Sequence, residues 1–254
     1  MTSTSTSTSS THSTTTTSPP DYNKTIRELV IDEVERKVKE ISKANGYRND
    51  IANVHVGYKF WQTQDLNAIS IMPQPDDPTY LTGVRSNVMA MAIIGFAEYN
   101  PLTQEPDEAS EPLLADLKHN ILGSTFSVQF VNGSQEPSQG DLLYGATSNT
   151  SVRVMRVNHT TGSWALGNAG GTLRIRDMRR FLSHTEYLKN AAGVVIAKAK
   201  LITVEPRFGG YVSNVEYITG GIEGYPEVGE TLIAVNLSVK FTYMTMNDNP
   251  YLEP

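Results

Sequence analysis

The sequence predicts an α+β fold in which two helices pack on a mixed β-sheet and an all-β, barrel-like domain is inserted between its halves. Three observations lead there. Two segments carry apolar residues at helical spacing, and two long segments carry them at strand spacing, one before and one after the middle of the chain. Between them, from Ser124 to Ala197, short strand-like runs alternate with turn signals every eight to twelve residues. The host domain then comprises residues 24–123 and 198–254, and the insert 124–197.

The first helix starts at Thr25, which forms a capping box with Glu28. Ile26, Leu29, Val30, Val34, Val38 and Ile41 make its apolar face, Arg27, Glu35, Arg36, Lys39 and Glu40 fill the other, and Gly46 is the expected stop. HVGYKFW (residues 55–61) and AISIMP (68–73) read as strands, with Tyr58, Phe60 and Trp61 expected in the core. PQPDDPTYLTG reads as a solvated loop by its turn chemistry, so its paired Asp76 and Asp77 are not expected to bind metal.

Ser86 to Tyr99 is the longest strand. Val88, Ala90, Ala92, Ile94 and Phe96 face one way and Met89, Met91, Ile93 and Ala97 the other. Both faces are apolar, so both need cover, one from helices and one from more protein. Met89, Met91, Ile93, Ile94 and Phe96 are accordingly the candidate packing and oligomer residues. The second helix is expected to start at Ser110, with Pro112 in its first turn, and to bury Leu113, Leu117 and Ile121 before Gly123. The last strong element, Glu230 to Tyr243, alternates cleanly from Ile233 to Tyr243 and so has one buried face.

Composition narrows the function. The 254-residue chain has a net charge of -6 and no cysteine, which argues against a general nucleic-acid binder and excludes disulfides and thiolate metal sites. Residues 124–197 hold seven basic against four acidic side chains, a basic module within an acidic protein. Sixteen of the first twenty residues are Ser or Thr, so residues 1–23 are expected to form a mobile tail. No signal-peptide pattern opens the chain and its longest apolar run is too short for a membrane span, so a soluble protein made in the cytoplasm is expected and the five Asn-x-Ser/Thr sequons are chance matches.

Catalytic patterns are missing. The histidines at 12, 55, 119, 159 and 184 lack metal-site spacing, and no nucleophile elbow or phosphate loop occurs. No enzyme activity, cofactor or metal is expected. GGIEGYPEVGE (220–230) reads as a hairpin tip or contact loop. RIRDMRR supplies the one dense basic patch, Arg174, Arg176, Arg179 and Arg180, expected as a contact face on the insert.

The order of these elements, from the first helix through HVGYKFW, DLNAISIMP, NVMAMAIIGFAEYN and EPLLADLKHNIL to VNLSVKFTYM before NDNPY, resembles the tail terminator proteins of long-tailed bacteriophages. The resemblance covers residues 24–122 and about 198–251. It implies a tail-terminator-like α+β domain, a homo-oligomeric ring, usually a hexamer, and a place in the virion at the head-proximal end of the tail. Such a ring stops tail tube growth and offers the head-tail joining surface, with tail tube and connector (neck) proteins as partners. Genome DNA passes its channel without sequence-specific binding, which an acidic wall favours by repelling phosphate. A connector-side completion protein is the nearest alternative, and a secreted glycan-binding β-module protein, suggested by the sequons and Trp164, a more distant one. The insert of roughly 75 residues and the Ser/Thr tail depart from the compact family pattern.

Overall fold

The computed structural model describes residues 24–178, 182–224 and 231–251, apart from the side chain of Thr63. The expected tail, Arg179, Arg180 and the loop 225–230 lie outside the described residues.

Helix α1 (Ile26–Lys39) begins as expected: Thr25 Oγ1 accepts from the Glu28 N–H at 3.2 Å, and the Thr25 N–H donates to Glu28 at 2.7 Å. It ends two residues before Ile41, the last residue of the apolar period, and Gly46 instead closes a separate 3-10 turn over Lys43–Asn45. Strand β1 (Asn53–Val56) is followed by β2 (Ala68–Tyr80) and β3 (Val84–Glu98), and then by helix α2 (Pro106–Leu122). The chain returns to this domain as β10 (Val212–Gly224) and β11 (Leu232–Met246).

These strands form one mixed sheet in the order β1-β2-β3-β11-β10, with β1 parallel to β2 and the other pairs antiparallel. Both helices lie on one side. Val30, Val34 and Val38 of α1 and Leu113, Leu117 and Ile121 of α2 share a core with Met89, Met91 and Ile93 of β3 and with Val235, Leu237, Val239 and Phe241 of β11. Each such side chain contributes about 1.5–3 kcal/mol by leaving water.

Three expectations change here. PQPDDPTY is strand, not loop: β2 runs on to Tyr80 beside β3, with a bulge between Pro73 and Asp76. β1 pairs only as far as Ile71, so beyond it β2 is an edge strand, where prolines are tolerated. HVGYKFW is strand only through Val56. Helix α2 starts four residues before Ser110, with Pro106 in the first turn and Pro112 inside the helix; Gly123 does cap it, its N–H donating to His119 O.

The insert is a closed six-stranded barrel, β4 (Phe126–Gly133), β5 (Leu142–Gly145), β6 (Ser151–Thr161), β7 (Ala169–Arg176), β8 (Tyr187–Lys189) and β9 (Val195–Val204), closing in the order β4-β7-β6-β5-β8-β9. It has its own core, centred on Val128, Phe130, Val154, Leu173, Ile175 and Ile196. The expected boundary at residue 197 falls inside β9, whose pairing with β4 carries the barrel on to Val204. Ile202 to Glu205, read as host sequence, therefore belongs to the barrel and its exit.

Candidate functional site

Two surfaces stand out, the uncovered face of the sheet and the seam between sheet domain and barrel. On β3 the alternation sends Met89, Met91, Ile93 and Ala97 under the helices, where they are buried. Val88, Ala90, Ala92, Ile94 and Phe96 point to the opposite face and are only half-buried. The expectation that more protein covers this second face is not met within the chain: no helix or strand among the described residues packs on it. Its neighbours in register are Thr242, Lys240, Ser238, Asn236 and Ala234 on β11, and Met72, Ser70 and Ala68 on β2.

One end of that face is roofed by the segment after β1. Trp61 donates its indole N–H to Ser70 Oγ at 2.9 Å, and Ser70 lies opposite Ile94. The Lys59 ammonium sits 4.1 Å over the Trp61 ring. Tyr58 and Phe60 are not core residues: they are 67% and 82% exposed, their rings edge to face at 5.0 Å. Exposed, mutually braced aromatics beside a half-buried apolar row have the composition of an interface centre.

Much of the sheet's edge is a poor template for strand addition, and β1, the edge strand on one side, is only four residues long. The free part of β2 carries Pro73, Pro75 and Pro78, and β10 is broken by three register shifts against β11. Prolines and bulges are the devices that keep an edge from pairing with another chain.

Asp76 is not a solvated loop residue. It accepts from Arg27 Nε at 3.2 Å and from the Tyr243 hydroxyl at 2.7 Å, tying α1, β2 and β11 together. Burial, and then the bond to this carboxylate, push the Tyr243 pKa well up. Asp77 is exposed, and no group of acidic or histidine side chains suited to a metal occurs among the described residues.

The seam uses the basic patch. Arg174 reaches Glu205 at 2.6 Å and Glu40 of α1 at 3.2 Å. Arg176 is 3% exposed, bonds to the Asn45 carbonyl and stacks 3.7 Å over the Tyr47 ring. These two arginines thus hold the barrel to its own host domain and do not face a neighbour, as the basic run had suggested. Asp177 takes His119 at 2.6 Å and Arg153 at 3.3 Å. Burial alone would raise its pKa; His119, Arg176 and Arg153 bring it below the ordinary value.

Approach at the seam is close. A Cβ on Gly140 would lie 2.7 Å from the Ala44 carbonyl, and one on Gly46, whose φ is +75°, would lie 2.5 Å from Arg153 Cδ. An open cleft of about 900 Å³ runs beside it, lined by Tyr47, Arg48, Asp116, His119, Arg153 and Asp177. Trp164 is stacked on Phe130 at 5.1 Å, a packing position and no sugar platform.

The sequence picked out the strand that is apolar on both faces but missed the aromatic loop and the seam. The signal for the loop was Gly57, at which an extended run can end. No helix is long and apolar enough to cross a membrane among the described residues. No protein-family model matches the chain, and no curated protein is similar to it.

Proposed function

We propose that the protein is a structural, non-enzymatic component of a bacteriophage particle that assembles into a ring at the head-proximal end of the tail, ending tube growth and offering the head-tail joining surface. The observation that carries the assembly part is the half-buried row Val88, Ala90, Ala92, Ile94 and Phe96 on a sheet face that no helix or strand among the described residues covers. A face of this kind is stabilised by a second copy, and closed rings of identical copies are a common outcome. The prolines on the free part of β2, the register shifts of β10 and the shortness of β1 make the edges less suited to such a contact than the face.

The place in the particle rests on the order of elements, which resembles tail terminators, and on the net charge of -6, which suits a channel that must not hold DNA. The tail tube protein and connector proteins are the partners in this reading. The barrel then projects from each protomer as a fixed lobe, because its seam is built from buried and paired charges. Deleting the gene and imaging the particles tests the assignment. Overlong tails are the expected result. Tails of normal length beside unjoined heads would make the protein a connector-side completion protein instead.

A further inference from the structure

The acidic host domain and the basic barrel each carry an outward patch of a single sign. Residues 86–117 hold six acidic and no basic side chains. Asp116 is buried on the backbone N–H groups of Arg48 and Asn49. Glu98, Glu105, Asp107, Glu108 and Glu111 are exposed, and none of them forms an ion pair among the described residues. The Asn100 carbonyl accepts from the N–H groups of Thr103 and Gln104, a tight turn that brings the end of β3 up to the start of α2 and gathers these carboxylates. Leu102, 91% exposed, stands in the same turn. The α2 dipole accounts for Asp107 and Glu108 in the first turn, but not for Glu98, Glu111 or an exposed leucine.

The matching patch is the β8–β9 hairpin, residues 187–204, which holds three lysines and no acidic side chain. Lys189, Lys198 and Lys200 form no ion pair among the described residues, and the Lys198 ammonium lies 5.6 Å from the Tyr187 ring centre. Tyr187, Val195 and Leu201 are exposed beside them. β9 meets the seam only at its end, where Glu205 pairs with Arg174, and the hairpin turn at residues 190–194 lies at its other end. Neither strand packs on a host helix or strand among the described residues. The two patches also lie at opposite ends of α2, a helix about 25 Å long: the carboxylates are at its first residues, and the barrel begins just past its last. Within one chain they are therefore not each other's partners.

We infer that the β8–β9 face of each barrel docks on the acidic turn and α2 start of the next copy, a contact of apolar residues ringed by opposite charges. This rests on the ring reading above and adds which surface of the barrel a neighbour meets. Two different patches make the contact head-to-tail, the kind that generates a ring when its rotation closes. Opposite charges select the partner and fix its orientation, while Leu102, Tyr187, Val195 and Leu201 supply apolar area. Duplex DNA is the competing partner for the lysines. Three lysines give it only a weak, salt-sensitive hold, and the chain as a whole carries a charge of -6. The outward contact of the barrel then belongs to its lysines, since Arg174 and Arg176 are spent on the seam.

A charge swap tests it, read as the concentration midpoint of assembly of the full chain by sedimentation velocity. One variant carries Lys189→Glu with Lys200→Glu; the other carries Glu98→Lys with Glu111→Lys, both outside the first turn of α2. Each alone is expected to raise the midpoint about tenfold or more. An equal mixture of the two, checked as folded by circular dichroism, is expected to recover the parent's midpoint, because every swapped patch then meets its opposite. The parent alone gives a second reading, a midpoint that rises as sodium chloride screens the patches. Variants that assemble as the parent does, a mixture that stays apart, a parent midpoint indifferent to salt, or a lysine variant that loses DNA binding yet still assembles, would overturn this contact and leave the ring standing. A parent that is monomeric at every concentration would overturn the ring reading, and this contact with it.

Discussion

The two faces of β3 are made of the same kinds of residue and have opposite fates. Met89, Met91 and Ile93 vanish beneath two helices, whereas Ala92, Ile94 and Phe96, one residue away, stay half open to water. The helices can cover only one side of a sheet, and the barrel, which has bulk enough to cover the other, docks on the helices instead. The lesson is that apolar residues on both faces of a strand state a need for cover, without saying whether the cover comes from the same chain.

The sharpest way to break this comparison is a pair of neighbouring substitutions. Ile93→Ala is expected to destabilise the fold by about 2–5 kcal/mol, as for a fully buried side chain. Ile94→Ala is expected to cost the isolated chain well under half of that, since part of its surface already meets water. Chemical denaturation of monomeric material measures both. Equal losses would mean that the second face is as buried as the first.

Next in size is the anchor that holds the β2 edge to α1. Asp76→Asn is expected to cost about 1–3 kcal/mol through Arg27 and Tyr243. The linked pH effect has a definite sign. Tyr243 has a raised pKa in the folded state, so its stabilising share is complete below its ordinary value of 10.0 and declines as pH rises above it. Alkaline unfolding curves should show that decline in the parent chain and a smaller one in Tyr243→Phe.

At the seam the sign reverses. The Asp177 pKa is lowered, so its contribution is present above the ordinary value of 3.8 and is lost as pH falls below it. Acid titration of the Asp177→Asn variant should be flatter than that of the parent in this window. The smallest effect concerns the boundary. Excising 124–205 with a short linker should give more soluble host domain than excising 124–197, which strands most of β9. Equal yields would speak against a barrel that ends at Val204.

How legible this was in the sequence differs between elements for physical reasons. The buried face of β11 was readable because strict alternation reports a single covered side, whereas β3, apolar on both faces, was readable as a strand but not as to which face the helices cover. The capping box at Thr25 was readable because its bonds are local. Strand PQPDDPTY was not, because proline statistics describe central strands and β2 is an edge there. β8 and most of β9 were missed, since β8 is only three residues long and turns at once through Gly193, whose φ is +80°, into a β9 whose apolar and basic residues do not alternate cleanly. Arg174 and Arg176 looked like an outward patch because a run of charge says nothing about which partner neutralises it. Here the partners are Glu40, Glu205 and the Tyr47 ring, two of them more than 120 residues away in sequence.

The central claim is that the open face of the sheet belongs to a second copy. Its most direct test is the mass of the purified protein by mass photometry, beside that of Ile94→Asp, with circular dichroism on both. The account predicts a ring for the parent chain, and for the variant a folded monomer, because a charge is tolerated on a wet face and excluded from a dry interface. A parent that stays monomeric at every concentration, or a variant that assembles as the parent does, would contradict it.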